Sequence, residues 1–297
     1  MEVYYIDRKT GEKKKEIIAG DLYLQWIYGS LIGNSLLEIF IKRKVFSSVY
    51  GKVQDLPISS RKIKNFITKL DIDMSEAEVE DTSKYNTFND FFIRKLKPSI
   101  RPINREKSIL ISPADGRVFA YDHINTKGVL QIKDHKYSLE ELFQDKELAN
   151  KYEQGVCIVV RLNPSDYHRF HFPYDGIPME SIKIKGNYYS VNPRALKKKA
   201  RIYCQNKREI TILKTKDMGE ITIVEVGATC VGSIIQSYKS GRKVKKGDEK
   251  GYFKFGGSTV ILFLEPNICK VDEDILINTK NGLETKVYMG ERIASRK

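Results

Sequence analysis

The sequence has no long hydrophobic run. No segment reaches the ~18–20 apolar residues that a membrane-spanning helix needs, and the first residues (MEVYYIDR) lack a basic stretch followed by an apolar one. A secretory signal is therefore not expected. Cysteine is scarce: the four residues Cys157, Cys204, Cys230 and Cys269 are scattered with no C-x-x-C pair. That spacing argues against a metal knuckle or redox motif and for reduced, mostly buried thiols. Histidine is equally sparse, with four residues, and there is one tryptophan. No fixed-period repeat or low-complexity tract is present, which excludes solenoid and linker architectures.

What the chain does have is positive charge. Lysine and arginine outnumber aspartate and glutamate by 52 to 38 over 297 residues, a net +14. Such an excess points to an anionic partner: nucleic acid, an acidic membrane surface or an anionic substrate. The basic cluster at residues 194–201 has no aromatic interleaving suited to base stacking, so nucleic acid is not the expected partner. Residues 22–37 are uncharged, carry Tyr23, Trp26 and Tyr28 at one end, and are followed by Lys42, Arg43 and Lys44. That pattern suits either an interfacial helix on anionic lipid or an amphipathic helix packed on the protein's own core.

The expected fold class is α+β. Residues 1–98 are expected to be a mainly helical, membrane-associating region, with apolar residues at helical spacing over 21–50, 59–70 and 88–96. Thr87, with Asp90 three residues on, marks a helix start. Residues 99–297 change texture to short β-branched runs between turn formers, as at 155–162, 221–226, 231–235 and 258–264. These predict strands and a compact β-rich domain. Residues 241–248 (GRKVKKGD) are analogous to the hairpin turns of lipoyl- and biotinyl-type barrels.

Three segments carry chemistry-bearing residues. His168 and His171 lie three apart in residues 166–173 (DYHRFHFP), and an extended, bent segment would let both rings approach one site. No cysteine or carboxylate lies at a spacing that completes a metal site, so no metal is expected. His123 and His135 stand alone in polar surroundings and are expected at the surface. Asp115 sits in a Pro-Ala-Asp-Gly turn, and Ser258 follows Gly256 and Gly257 and opens an apolar strand. The two glycines leave the peptide carbonyl before Ser258 sterically open and permit strained backbone angles. Asp, His and Ser together are the members of an activated-nucleophile relay. The absence of a Gly-x-Ser-x-Gly elbow argues against an ordinary serine hydrolase.

In order along the chain, seven short segments resemble the pyruvoyl-dependent phosphatidylserine decarboxylase proenzymes. They are residues 88–97 (FNDFFIRKLK) with 101–103 (RPI), 112–117 (SPADGR), 166–173, 189–193 (YSVNP), 226–229 (VGAT), 231–234 (VGSI) and 250–259 (KGYFKFGGST). The resemblance implies self-cleavage between Gly257 and Ser258, giving a large chain 1–257 and a small chain 258–297 that stay together as a heterodimer, with higher oligomers possible. It implies a covalent pyruvoyl cofactor derived from Ser258, which forms a Schiff base with the amine of phosphatidylserine. Asp115 and His171 would complete the cleavage relay of Ser258, and His168 would donate the proton during decarboxylation; the sequence also allows the two histidines to exchange roles. Phosphatidylserine in an anionic membrane is the implied substrate, and the cytoplasmic face of the cell membrane the implied, peripheral location. Two departures stand out: Gly256 where many members have leucine, and Asn206-Lys-Arg208 where many have Asn-Glu-Arg. The alternatives are a pyruvoyl decarboxylase of a soluble amino acid and a non-catalytic basic lipid- or nucleic-acid-binding protein.

Overall fold

A computed structural model of the chain describes residues 2–18, 21–42, 44–125, 130–132, 135–199, 201–228 and 233–297. The architecture is α+β and is dominated by a ten-stranded sheet. Along its path run nine strands, Ile182–Ile184, Arg208–Lys214, Glu220–Gly227, Ser258–Leu264, Val156–Leu162, Gly116–Tyr121, Glu284–Val287, Tyr4–Asp7 and Lys13–Lys15, and the tenth, Ile177–Pro178, pairs with Arg208–Lys214 off the path. Neighbours are antiparallel, except that Tyr4–Asp7 runs parallel to Glu284–Val287.

The Ser258–Leu264 strand lies in the middle of this sheet, and all seven of its residues are buried. A strand covered on both faces needs apolar residues at odd and even positions alike, and its sequence STVILFL supplies them from Val260 onward. Because side chains alternate between faces, Val260, Leu262 and Leu264 join a core with Phe170 and Phe253. Ile261 and Phe263 join a second core on the opposite face with Phe143 and Tyr203. Ser258 shares the parity of Val260. It therefore faces the side covered by a small antiparallel sheet of Ile234–Gln236, Glu249–Phe253 and Arg169–His171. The expected hairpin at 241–248 connects the first two strands of that small sheet.

The N-terminal layer consists of helices Asp21–Gly29, Leu31–Leu36, Lys44–Gln54 and Ile63–Leu70, with a π turn at Leu37–Ile41 and a 3-10 turn at Pro57–Lys62. The first fifteen residues depart from the expected helical reading, because Tyr4–Asp7 and Lys13–Lys15 form an antiparallel pair at the sheet edge. The polar composition of Lys13–Lys15 hides that strand from a hydrophobic pattern, yet it suits the sheet edge, where lysines discourage pairing with other chains. The helix expected over 88–96 is Phe88–Phe92 only. It starts in a full capping box between Thr87 and Asp90, and it stops because the chain then turns extended, with Leu96 bridging Ala77.

That short helix fixes the segment before Ser258. Phe255 packs edge-on against Phe88 at 4.9 Å and Phe92 at 5.0 Å, contacts worth about 0.5–1.5 kcal/mol each beyond area burial. The Asn89 Oδ1 accepts the Phe255 N–H at 2.9 Å. Gly256 has φ +137°, a conformation that only glycine adopts without strain.

Candidate active site

Ser258 is completely buried at the first position of its strand, paired with Gly227 on one side and Leu162 on the other. Its Oγ lies 3.3 Å from the His168 Nδ1. The other ring nitrogen of His168, Nε2, is 3.1 Å from the Asn163 carbonyl oxygen. A carbonyl only accepts, so Nε2 carries the proton, and in the neutral ring Nδ1 presents its lone pair to the serine hydroxyl. Burial pushes the His168 pKa down to about 3 against the opposing pull of Asp166. The ring is therefore neutral at physiological pH. Phe92 stacks on it at 4.0 Å between centroids and fixes its plane.

Asp166 organises the loop that carries His168. Its Oδ2 accepts the Asn163 N–H at 2.7 Å, and Arg117 and Lys286 pair with its two oxygens. Burial raises the Asp166 pKa, but these two cations outweigh it and hold the carboxyl well below the usual range. Lys286 lies in the Glu284–Val287 strand, whose Glu284 meets Arg161 at 2.6 Å, and Arg161 in turn meets Glu16 at 2.7 Å. One buried ionic network thus joins the N-terminal segment, the sheet centre and the last forty residues.

His171 faces elsewhere. In a strand, positions three apart point to opposite faces, and His171 lies in Arg169–His171 while His168 immediately precedes it. The His171 Nδ1 donates to the Gly247 carbonyl at 2.9 Å, and Nε2 accepts the Tyr167 hydroxyl at 3.1 Å. Both nitrogens are committed, and burial lowers the His171 pKa against the Gly247 carbonyl. Asp115 is engaged by Arg101, with the closest contact at 2.7 Å, and by the Met289 N–H at 2.8 Å. No hydrogen bond joins Asp115 to His171 among the described residues; the His171 N–H instead donates to Pro113 O, in the same turn as Asp115, at 2.7 Å. The expected direct contact of Ser258 with an Asp115–His171 pair is therefore not the arrangement found; the structure brings Ser258 to His168.

Gly257 is covered by Val191, which a Cβ on Gly257 would approach to 3.2 Å. Val191 belongs to the 189–193 segment singled out in the sequence. Asn206 secures that segment, accepting the Tyr189 N–H at 2.9 Å and donating to Tyr189 O and Gly227 O. The segments at 88–97, 166–173, 189–193 and 250–259 thus converge on the Gly257–Ser258 bond.

Residues 88–295 match the family described as Phosphatidylserine decarboxylase. A protein of Clostridium botulinum strain Langeland named phosphatidylserine decarboxylase proenzyme is 52% identical over 295 residues, covering 99% of this chain and 100% of that one. A protein of the same name from Clostridium perfringens strain SM101 is 51% identical over 290 residues, covering 98% of each chain. The chain belongs to the phosphatidylserine decarboxylase family.

Sequence reading placed Asp115, His168, His171, Gly257 and Ser258 of this family member at one site; the structure brings His168 to Ser258, and Phe92, Asn163 and Asp166, which the sequence reading missed, support it. Phe92 and Asp166 stood inside the quoted segments. Asn163, which precedes Pro164, carried only a turn signal. Of the other expected features, His123 is exposed, while the His135 side chain, Cys230 and residues 229–232 lie outside the described residues. Cys157 and Cys269 are buried free thiols, and Cys204 is half-buried.

Proposed function

We propose that the chain cuts itself between Gly257 and Ser258 and then converts phosphatidylserine to phosphatidylethanolamine and CO2 at a pyruvoyl group derived from Ser258. The observation that carries this reading is the 3.3 Å approach of the Ser258 Oγ to the unprotonated nitrogen of a neutral, buried imidazole. A serine hydroxyl is a weak nucleophile at neutral pH and needs such a base.

His168 takes the hydroxyl proton and Ser258 Oγ attacks the Gly257 carbonyl carbon, shifting the acyl group from nitrogen to oxygen. Loss of the Cα proton then expels the Gly257 carboxylate and leaves a dehydroalanine at position 258. Its tautomer takes up water and releases ammonia, so the new terminus is a pyruvoyl group. The site fits this chemistry: Gly256 allows the backbone geometry the shift needs, and Ser258 is shut away from bulk water that would compete for the ester. When formed, the pyruvoyl carbonyl supplies an electron sink for a primary-amine substrate. His168, already beside position 258, is placed to hand a proton back to the carbon that loses CO2. The resemblance to the family assigns the first proton transfer to His171 with Asp115. The contacts of Ser258 favour His168.

A membrane-resident substrate accords with the N-terminal layer. Its exposed apolar residues include Ile32 at 70% and Ile39 at 56%, together with Trp26, Val49 and Ile58. Among the described residues no helix is long and apolar enough to cross a membrane. These exposed apolar side chains are the proposed peripheral contact with an anionic bilayer on its cytoplasmic side.

Intact-mass analysis tests the reading. The parent should give fragments of 257 and 40 residues (297 − 257), the smaller blocked to Edman chemistry, and Ser258→Ala should remain whole. Loss of cleavage in His168→Ala, with slower but measurable cleavage in His171→Ala, is expected. A His168→Ala chain that processes at the parental rate would return the first proton transfer to His171. A folded parent that stays in one piece would end the proposal.

A further inference from the structure

Arg94 has no place in the chemistry above, yet it is 6% exposed and makes no ion pair among the described residues. Its Nη2 donates to the Ser165 carbonyl at 3.3 Å, and Phe91 lies 5.1 Å from the guanidinium. Nε and Nη1 have no hydrogen-bond partner among the described residues. A buried cation with two donors unused is costly unless an anion completes it. Arg94 lines a half-open cavity of about 300 Å³ together with Arg101, Asp115, Ser165, Tyr167 and Lys286.

The other inner cations of this cavity are already committed. Arg101 pairs with Asp115 and Glu76, while Arg117 and Lys286 pair with Asp166. Asp71 and Asp73, also in the lining, are exposed. Among the described residues, Arg94 is thus the inner-wall cation without a carboxylate partner. The wall is next to the reaction centre: Ser165 and Tyr167 lie on the loop that carries His168, and Phe92, two residues before Arg94, stacks on the His168 ring.

We propose that Arg94 anchors the phosphodiester of the lipid headgroup in this cavity. The inference rests on position 258 being the reaction centre. A serine headgroup offers two anions, and their chemistry differs. The phosphodiester keeps its charge throughout the reaction, so holding it positions the substrate without opposing the chemical step. The carboxylate loses its charge as CO2 departs, so a guanidinium on it would stabilise the ground state more than the transition state and slow the reaction. Phe92 beside His168 gives the carboxylate an apolar neighbour, which accords with this division.

The test uses the full chain carrying Ser258→Ala, with and without Arg94→Gln, and calorimetric titration with two probes. Glycerophosphoethanolamine has the phosphodiester and no carboxylate; L-serine has the carboxylate and no phosphate. Glycerophosphoethanolamine should bind, and Arg94→Gln should weaken that binding about tenfold to a hundredfold, as for loss of a charge-assisted hydrogen bond. L-serine should show no dependence on Arg94. In the processing-competent chain, Arg94→Gln should raise KM for phosphatidylserine by a similar factor, leave kcat within a few-fold and preserve self-cleavage. Arg94→Lys should recover part of the affinity, and it stands in if the glutamine variant fails to fold. Arg94-dependent binding of L-serine, or glycerophosphoethanolamine binding that ignores both substitutions, would overturn the assignment. Binding by a chain whose Ser258 parent never cleaves would count against the processing reading and leave the anion site standing.

Discussion

Self-cleavage should be insensitive to pH across the range in which an ordinary histidine titrates. The perturbation is a drop from pH 7.5 to pH 5 imposed on freshly made, uncleaved chain. With an ordinary imidazole pKa near 6.5, only about 3% of the base would remain neutral at pH 5 and cleavage would slow about thirtyfold. His168 is fully buried, burial depresses its pKa to about 3, and Arg94 adds to the depression while Asp166 opposes it. At pH 5 about 99% of such a ring stays neutral, so the rate should hold within twofold. Cell-free synthesis at low temperature, a jump in pH, and quantification of the 40-residue fragment against time would measure it. A rate that halves near pH 6.5 would refute the claim that a desolvated imidazole is the base. Stability follows the same linkage. Between pH 6.5 and about 3 the unfolded chain binds a proton at this histidine and the folded chain does not, so the ring's contribution falls as the pH drops through that window.

Two further outcomes are expected. Asp115→Asn removes the charge that Arg101 meets inside the fold, where both groups are under 10% exposed, and should destabilise the Ser258→Ala chain by about 3 kcal/mol, the lower end for a broken buried pair because Glu76 remains. Urea denaturation followed by far-UV circular dichroism would report it, and an unchanged midpoint would show that the pair is dispensable. Replacing Ile32 and Ile39 together by serine should reduce co-sedimentation with phosphatidylserine-containing vesicles several-fold while leaving self-cleavage intact, since both side chains are exposed whereas Ser258 is buried. Equal binding would remove these side chains from the membrane contact.

Much of the fold was legible where composition and local chemistry agree. The Ser258–Leu264 strand falls where its apolar run predicts, and Thr87 caps its helix through Asp90 as the spacing requires. The first fifteen residues were not legible, because a strand such as Lys13–Lys15 earns its place from the neighbour it pairs with and not from its own sequence. The helix after Thr87 was read too long for a related reason: the pairing of Leu96 with Ala77 is a tertiary contact. At the site, residue types were readable and partnerships were not. Spacing of three between His168 and His171 separates them once the segment is extended, and which ring meets Ser258 depends on sheet parity. Arg94 was visible as one basic residue among fifty-two; only its unanswered donors within the fold set it apart.

The position of the Ser258–Leu264 strand has a consequence for what a cut before it would release. The severed tail would own two inner ribbons of the same sheet, one between Glu220–Gly227 and Val156–Leu162, the other between Gly116–Tyr121 and Tyr4–Asp7. Glu284 and Lys286 would stay clasped by Arg161 and Asp166. The tail is woven in at two places, so it could leave only if the body came apart, and its rate of escape should equal the rate of global unfolding. The new reactive end would be born enclosed, with its proton-carrying neighbour already in place.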